Sequence, residues 1–186
     1  VKERFFFFFE TAGRLNHPNI VTIYDAGEDQ DLAYIAMEFL EGKDLAGYTS
    51  PDRLLPASDA VDIICKVAEA LSYAHSQGVV HRDIKPDNVM LSGRHALVTD
   101  FGVAKAVSEA TGRQQLTTAG VALGTPSYMA PEQAAADPNL DHRVDIYAVG
   151  AMAYELLTGR PPFTGMTSQQ ILAAHVTQAP DPVSRH

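Results

Sequence analysis

Eight residues, His81-Arg82-Asp83-Ile84-Lys85-Pro86-Asp87-Asn88, constrain this chain more than any other stretch. They put two cations and two carboxylates between the apolar segments Val79-Val80 and Val89-Met90-Leu91. A carboxylate drawn toward an apolar wall costs free energy unless it is paired or holds a metal. Folding alone gains little from so much charge in so short a space, so the stretch reads as a site. Asp100-Phe101-Gly102 follows twelve residues after Asn88.

The order His-Arg-Asp, a Lys two residues after that Asp, an Asn five after it, and then Asp-Phe-Gly resembles the catalytic core of the eukaryotic-type protein kinases. The resemblance implies a role for each residue. Asp83 matches the base that accepts the proton of the substrate hydroxyl. Lys85 matches the cation that steadies the transferred phosphoryl group and leans the reading toward serine/threonine specificity. Asn88 and Asp100 match the two metal ligands, hard oxygen donors suited to Mg²⁺ bridging the phosphates of ATP. Three more motifs follow the family order: His17-Pro18-Asn19, Ala130-Pro131-Glu132 and Asp145-x-Tyr147-x-x-Gly150. Any one tripeptide is weak evidence; the ordered set is specific and covers essentially the whole chain. Its style resembles the bacterial members.

The implied fold is α+β: a partial small N-lobe of a helix and two strands with the hinge (residues 1–40), then a mainly α-helical C-lobe (residues 41–186). A chain of 186 residues suffices for one such domain with a real core. Residues 1–15 read as a helix, interrupted by the Phe5–Phe9 run, which has no helical periodicity and is an aggregation hazard if exposed. Residues 20–24 and 33–39 read as strands joined by a turn over residues 27–31. By resemblance Met37 is the gatekeeper, with core packing as the bland alternative. Glu38-Phe39-Leu40 is then the hinge that meets adenine, and Met90 the floor of that pocket.

Residues 42–50 read as a linker and short helix. Ser58 is placed to cap a helix reaching about Gln77, with Gly78 ending it. Its apolar stripe is Ala60, Ile64, Val67, Ala68, Leu71, Ala74 and His75. Residues 89–91 and 96–98 flank a hairpin turn. Phe101 is expected to pack under the N-lobe helix. Residues 106–118 resemble an activation loop, and phosphate on Thr117 or Thr118 would pair with Arg82. Thr125 matches the Thr that hydrogen-bonds the catalytic Asp and Lys, here Asp83 and Lys85. Asp145 matches the residue that holds the loop backbone near His81 and Arg82. A helix from about Asp141 to Gly159, a short helix over residues 167–176 and a loop over 179–186 complete the reading.

Fourteen basic against 23 acidic residues give a net charge of −9, which disfavours nucleic acid as a partner. The expected partners are ATP and a protein bearing Ser or Thr; oligomeric state is left open. The single cysteine, Cys65, makes no intrachain disulfide and reads as a small buried hydrophobe, in keeping with a cytoplasmic setting. No run of eighteen apolar residues is present to span a membrane, although an anchor beyond His186 stays open. No Gly-x-Gly-x-x-Gly loop or Val-Ala-x-Lys strand precedes residue 15, the Glu expected to pair with that Lys falls near Phe8, and Glu132 is expected to be buried without its usual Arg. The chain is therefore expected to be a fragment of impaired activity. The rival reading is a catalytically inactive kinase-like binding module; a small-molecule kinase is disfavoured by the Ala-Pro-Glu segment and Thr125.

Overall fold

The computed structural model describes residues 13–29, 32–101, 125–165 and 167–186. The Phe5–Phe9 run, Gly102, Thr117 and Thr118 lie outside these residues, as does most of the expected first helix. Its last turn is not helical, since Gly13 and Arg14 form a turn.

Strands β1 (Ile23–Asp29) and β2 (Leu32–Met37) form an antiparallel hairpin, with Ile23 opposite Met37 and Gly27 opposite Tyr34. β1 therefore runs through the segment expected to turn. Tyr34 explains why: its ring lies where a Cβ on residue 27 would come within 2.5 Å, and its hydroxyl donates to Asp25 Oδ2 at 3.0 Å. Only Gly27 leaves room for that cross-strand cover. β2 stops before Phe39, which is 88% exposed. Residues 20 and 21 do not belong to the hairpin either. Ile20 bridges Val98 in parallel, and Val21 N donates to Val98 O at 3.0 Å. Buried Asn19 donates its Nδ2 to Ala96 O at 2.9 Å. The chain thus enters the hairpin by docking on the edge of a second sheet.

That sheet has the order β3 (Lys43–Asp44), β4 (Val89–Ser92), β5 (His95–Val98), all antiparallel. The β4–β5 hairpin is as the sequence predicts. Residues 42–50 hold β3 where a linker was expected, followed by the expected short helix as a single 3-10 turn over Leu45–Tyr48.

Helix α1 spans Ala57–Ser76 and stops before Gly78 as expected. It starts one residue ahead of Ser58, with Pro56 at the N-cap (φ −51°, ψ 139°). Ser58 makes no cap and donates instead to Asp59 Oδ1 at 3.3 Å. The buried face is Ala60, Ile63, Val67, Ala70, Leu71 and Ala74. Ile63 and Ala70 replace Ile64 and Ala68 in the expected stripe; Ile64 is half-buried and Ala68 exposed. Cys65 is exposed, contrary to expectation. It lies two residues, about 200° of rotation, from buried Ile63.

Three helices follow: α2 (Pro131–Ala134), α3 (Arg143–Thr158) and α4 (Ser168–Thr177). α4 begins with a reciprocal cap, in which Thr167 Oγ1 accepts from Gln170 N and Gln170 Oε1 accepts from Thr167 N. A 3-10 turn over Val183–Arg185 occupies part of the stretch expected as loop. α3 is the central helix. It packs on α1, and Val144, Ala148, Ala151, Met152 and Leu156 are buried. Burying side chains of the Met or Leu kind contributes about 1.5–3 kcal/mol each. Gly159 ends α3 at φ +78°, where a Cβ would also meet Pro51 at about 3 Å. Among the described residues, no helix is long and apolar enough to cross a membrane.

Candidate active site

Two buried groups fix the loop after α1. Asp145, fully buried on α3, accepts His81 N at 2.8 Å on Oδ2 and Arg82 N at 2.7 Å on Oδ1. Its Oδ2 also meets His75 Nε2 of α1 at 2.7 Å. The second group is His81, 1% exposed. Its Nδ1 accepts Asp83 N at 3.2 Å, and its Nε2 donates to Thr99 O at 2.8 Å. The ring also stands 4.7 Å from that of buried Phe101. Phe101 therefore packs against the loop itself, while the helix it was expected to underlie is outside the described residues. Loop, β5 end and central helix become one hydrogen-bonded body.

Backbone strain marks the same place. Arg82 (φ +70°) and Asp100 (φ +59°) are left-handed without being glycine. Such conformations cost of order 1–3 kcal/mol each and persist only where the surroundings over-determine them. Asp145 does so for Arg82 by capturing its N–H, and Gln133 of α2 donates to its carbonyl at 3.3 Å.

The loop presents Asp83, Lys85 and Asn88 together. Lys85 Nζ lies 3.1 Å from Asp83 Oδ2. Asn88 Nδ2 donates to Asp83 O at 2.7 Å and to the same Oδ2 at 3.1 Å. Asp83 Oδ1 accepts no hydrogen bond from the described residues. Pro86 opens the 3-10 turn Pro86–Asn88 that carries Asn88 back toward Asp83. Across the hairpin, Thr99 N donates to Asn88 O at 2.9 Å, and Thr99 Oγ1 touches Asn88 O at 3.4 Å and Asp100 Oδ2 at 3.5 Å. The β4–β5 pairing thus sets Asn88 against Thr99, the neighbour of Asp100.

This donor set fits a hard divalent cation. With Nδ2 committed to Asp83, Asn88 turns its carbonyl Oδ1 away, and Asp100 offers an exposed carboxylate. Among the described residues no cluster of three His, Cys, Asp or Glu side chains could enclose a metal. A cation held by only two side chains keeps positions for water and phosphate oxygens, as Mg²⁺ does.

The other expected residues are distributed as follows. Met37 ends β2 and is 39% exposed, so the core packing expected of it, as gatekeeper or otherwise, is not seen. Glu38 closes the hairpin base: its N donates to Thr22 O, and its Oε1 accepts Thr22 N at 2.6 Å. Leu40 lies on the connection from β2 to β3, and Met90 pairs with Asp44 of β3. These four flank one short connection. Thr125 is exposed, and among the described residues no hydrogen bond joins it to Asp83 or Lys85. Glu132 is half-buried and not sealed, and lies where its charge reaches Arg143.

Three contacts had no advance reading from the sequence. Gln133 braces Arg82, as described. Tyr128 donates its hydroxyl to Glu155 Oε2 on α3. Burial and then Glu155 push the Tyr128 phenol far above its ordinary range, and burial raises Glu155 as well, with Asp87 adding to the rise. The third is Tyr147 with His175, 2.6 Å apart. A carboxylate at position 155 inside the apolar run Ala151–Leu157 was the available signal for the second.

The Protein kinase domain family model matches residues 9–184. The serine/threonine-protein kinase PknB of Mycobacterium leprae is 39% identical over 181 residues, 95% of this chain and 28% of the relative. The serine/threonine-protein kinase pkn3 of Myxococcus xanthus is 42% identical over 182 residues, 95% of this chain and 33% of the relative. The chain therefore spans about a third or less of these relatives. The crystal structure of the Mycobacterium tuberculosis PknI kinase domain matches with a TM-score of 0.69 at 31% identity, covering 96% of this chain and 72% of that one. Rad53 1-466 in complex with AMP-PNP matches with a TM-score of 0.73 at 30% identity, covering 91% and 41%. This chain belongs to the protein kinase domain family.

Proposed function

We propose that the chain is the larger part of a serine/threonine protein kinase domain, whose parent reaction moves the γ-phosphoryl group of ATP to a Ser or Thr hydroxyl of a protein. The observation that supports this most is the set of three contacts at Asp83. Lys85 and Asn88 hold its Oδ2 and its carbonyl, leaving Oδ1 as the acceptor that faces no described donor. The substrate hydroxyl oxygen forms a bond to the γ-phosphorus as the bond from that phosphorus to the bridging oxygen breaks. ADP leaves with the electron pair, and the hydroxyl proton passes to Asp83 Oδ1. General-base help of this kind contributes about 10²–10⁴-fold. Lys85, 3.1 Å from Asp83, places positive charge beside the transferring group.

Asn88 Oδ1 and Asp100 would hold Mg²⁺, which neutralises phosphate charge when bound. Met37, Glu38, Leu40 and Met90 flank the connection on which adenine would rest. Glu38 O, Leu40 N and Leu40 O make no backbone hydrogen bond among the described residues and supply an edge for it. Arg82, with Thr117 or Thr118 phosphorylated, would form the switch. The ATP requirement places the work in the cytoplasm.

The test is phosphate transfer from Mg-ATP to a Ser/Thr peptide library, with wild type compared with Asp83→Asn. Incorporation that Asp83→Asn abolishes supports the reading. Transfer only by a version extended at both ends means truncation, whereas silence of both, in a folded chain that binds Mg-ATP or peptide, favours the binding module.

A further inference from the structure

We propose that His175 is a positioning residue of the peptide platform: its Nε2–H group seats the Pro126–Tyr128 turn by closing onto a carbonyl of that turn. The platform itself is part of the kinase reading above. His175 sits on α4, 4% exposed, and α4 packs on both this 3-10 turn and α2. Its ring is fixed on two sides. Phe163 meets it edge-on at 4.9 Å between centroids, and Tyr147 Oη lies 2.6 Å from Nδ1. Nε2 is sealed from solvent and, among the described residues, has no hydrogen-bond partner.

A buried polar atom of this kind is costly unless something completes it. The carbonyls of Pro126 and Ser127 face the ring closely enough to favour its charged form, yet do not meet hydrogen-bond geometry. Carbonyl oxygens repel a nitrogen lone pair, so the proton belongs on Nε2. Nδ1 then accepts from the Tyr147 hydroxyl, which burial keeps protonated. Tyr147 thereby sets the tautomer, and the tautomer aims a donor at the turn.

The turn is not pulled tight by its own bonds. Tyr128 N reaches Thr125 O at 3.4 Å and Met129 N reaches Pro126 O at 3.3 Å, both long. It follows directly on Thr125 and leads through Met129 into Ala130-Pro131-Glu132, so its seat sets the height of the surface offered to a peptide. A small movement toward α4 completes the orphaned donor. Peptide pressing on the turn would favour that seat, so His175 acts on substrate binding through the turn and not on the transferring group.

The experiment uses the whole chain in three measurements. Long-range ¹H–¹⁵N correlation reads the His175 ring: protonated Nε2 with bare Nδ1 is expected, and the opposite tautomer overturns the proposal. Amide exchange at Tyr128 and Met129 then compares variants. His175→Asn and His175→Phe, which remove the Nε2 donor, should exchange roughly tenfold faster at these amides. His175→Gln, whose amide nitrogen occupies the Nε2 position, should stay near wild type. Equal exchange in all four overturns the proposal, and so does acceleration in His175→Gln equal to that in His175→Phe. Neither measurement needs catalysis, so the result stands apart from the kinase reading. Where transfer is detected, KM for peptide rises in His175→Asn while KM for ATP holds; a rise in both overturns it.

Discussion

Asp145 Oδ1 accepts the backbone N–H of Arg82 at 2.7 Å, joining a fully buried carboxylate to a left-handed residue beside Asp83. One side chain on the central helix thus supports the strained backbone on which the loop turns. Asp145→Ala leaves two loop amides and His75 without their acceptor. The expected loss of stability is about 3–5 kcal/mol, read as a lowered denaturation midpoint. Phosphate transfer should fall with it even under conditions where the variant stays folded.

Asp83 tests the other side of that division of labour. It is part-exposed and, among the described residues, its side chain pairs only with Lys85 and Asn88, so its replacement disturbs little packing. Asp83→Asn should change stability by less than about 1 kcal/mol. Turnover at saturating ATP should fall about 10²–10⁴-fold. Single-turnover transfer, measured beside a thermal melt, separates the two effects.

Asn88 should reveal itself through cation dependence. Asn88→Ala removes the carbonyl oxygen and also releases Asp83 Oδ2. The Mg²⁺ concentration for half-maximal nucleotide binding should rise, by about tenfold for each 1.4 kcal/mol of lost coordination. Isothermal titration with Mg²⁺ and a non-hydrolysable nucleotide reads it directly. Chelating the cation should weaken wild-type binding more than that of Asn88→Ala.

How much of this was written in the sequence depends on range. The Asp83–Lys85–Asn88 spacing and the β4–β5 hairpin are local, and their geometry follows from a few consecutive residues. The role of Asp145 came from family resemblance, since sixty-four positions separate it from His81. The edges of elements were less legible. Gly27, Glu28 and Asp29 have turn chemistry, yet Tyr34 across the ladder holds that segment in a strand. Cys65 sits in an apolar helix, but the orientation of that helix is set by α3 and β5, which composition does not reveal. Tyr128 with Glu155 and Tyr147 with His175 are pairs of ordinary residues in ordinary helices and turns. Nothing in their spacing announces a contact between elements 27 and 28 residues apart.

Tyr128→Phe removes the hydroxyl that Glu155 accepts. Burial raises the Glu155 carboxyl, so its folded pKa lies above the unfolded value of about 4.5. Such a group supports stability fully below the unfolded pKa and loses that support as pH rises through the folded one. Removing the donor makes ionised Glu155 costlier still. Tyr128→Phe should therefore destabilise by about 1–3 kcal/mol at neutral pH and by less near pH 4. Urea midpoints across that range check it, and Glu155→Gln should flatten the same dependence.

His175 should give the opposite pH signature. Burial lowers its pKa below the ordinary 6.5, against the pull of the Pro126 and Ser127 carbonyls. On the packed elements, Tyr147 of α3 meets the ring, with Tyr128 in the turn and Glu132 on α2, whose charge reaches Tyr147; Arg143, Asp145, Tyr154 and Glu155 are the other titratable groups of α3. Between the folded pKa and 6.5 the unfolded chain binds a proton that the native chain refuses. Stability must then fall as pH drops through that window and hold steady above it. His175→Gln cannot bind that proton in either state. Its midpoint, plotted against pH beside wild type, should lack this component, so that the two curves diverge below pH 6.5 and run parallel above it. A divergence that opens above pH 6.5 instead, or curves parallel throughout, would mean the imidazole is not held neutral by burial.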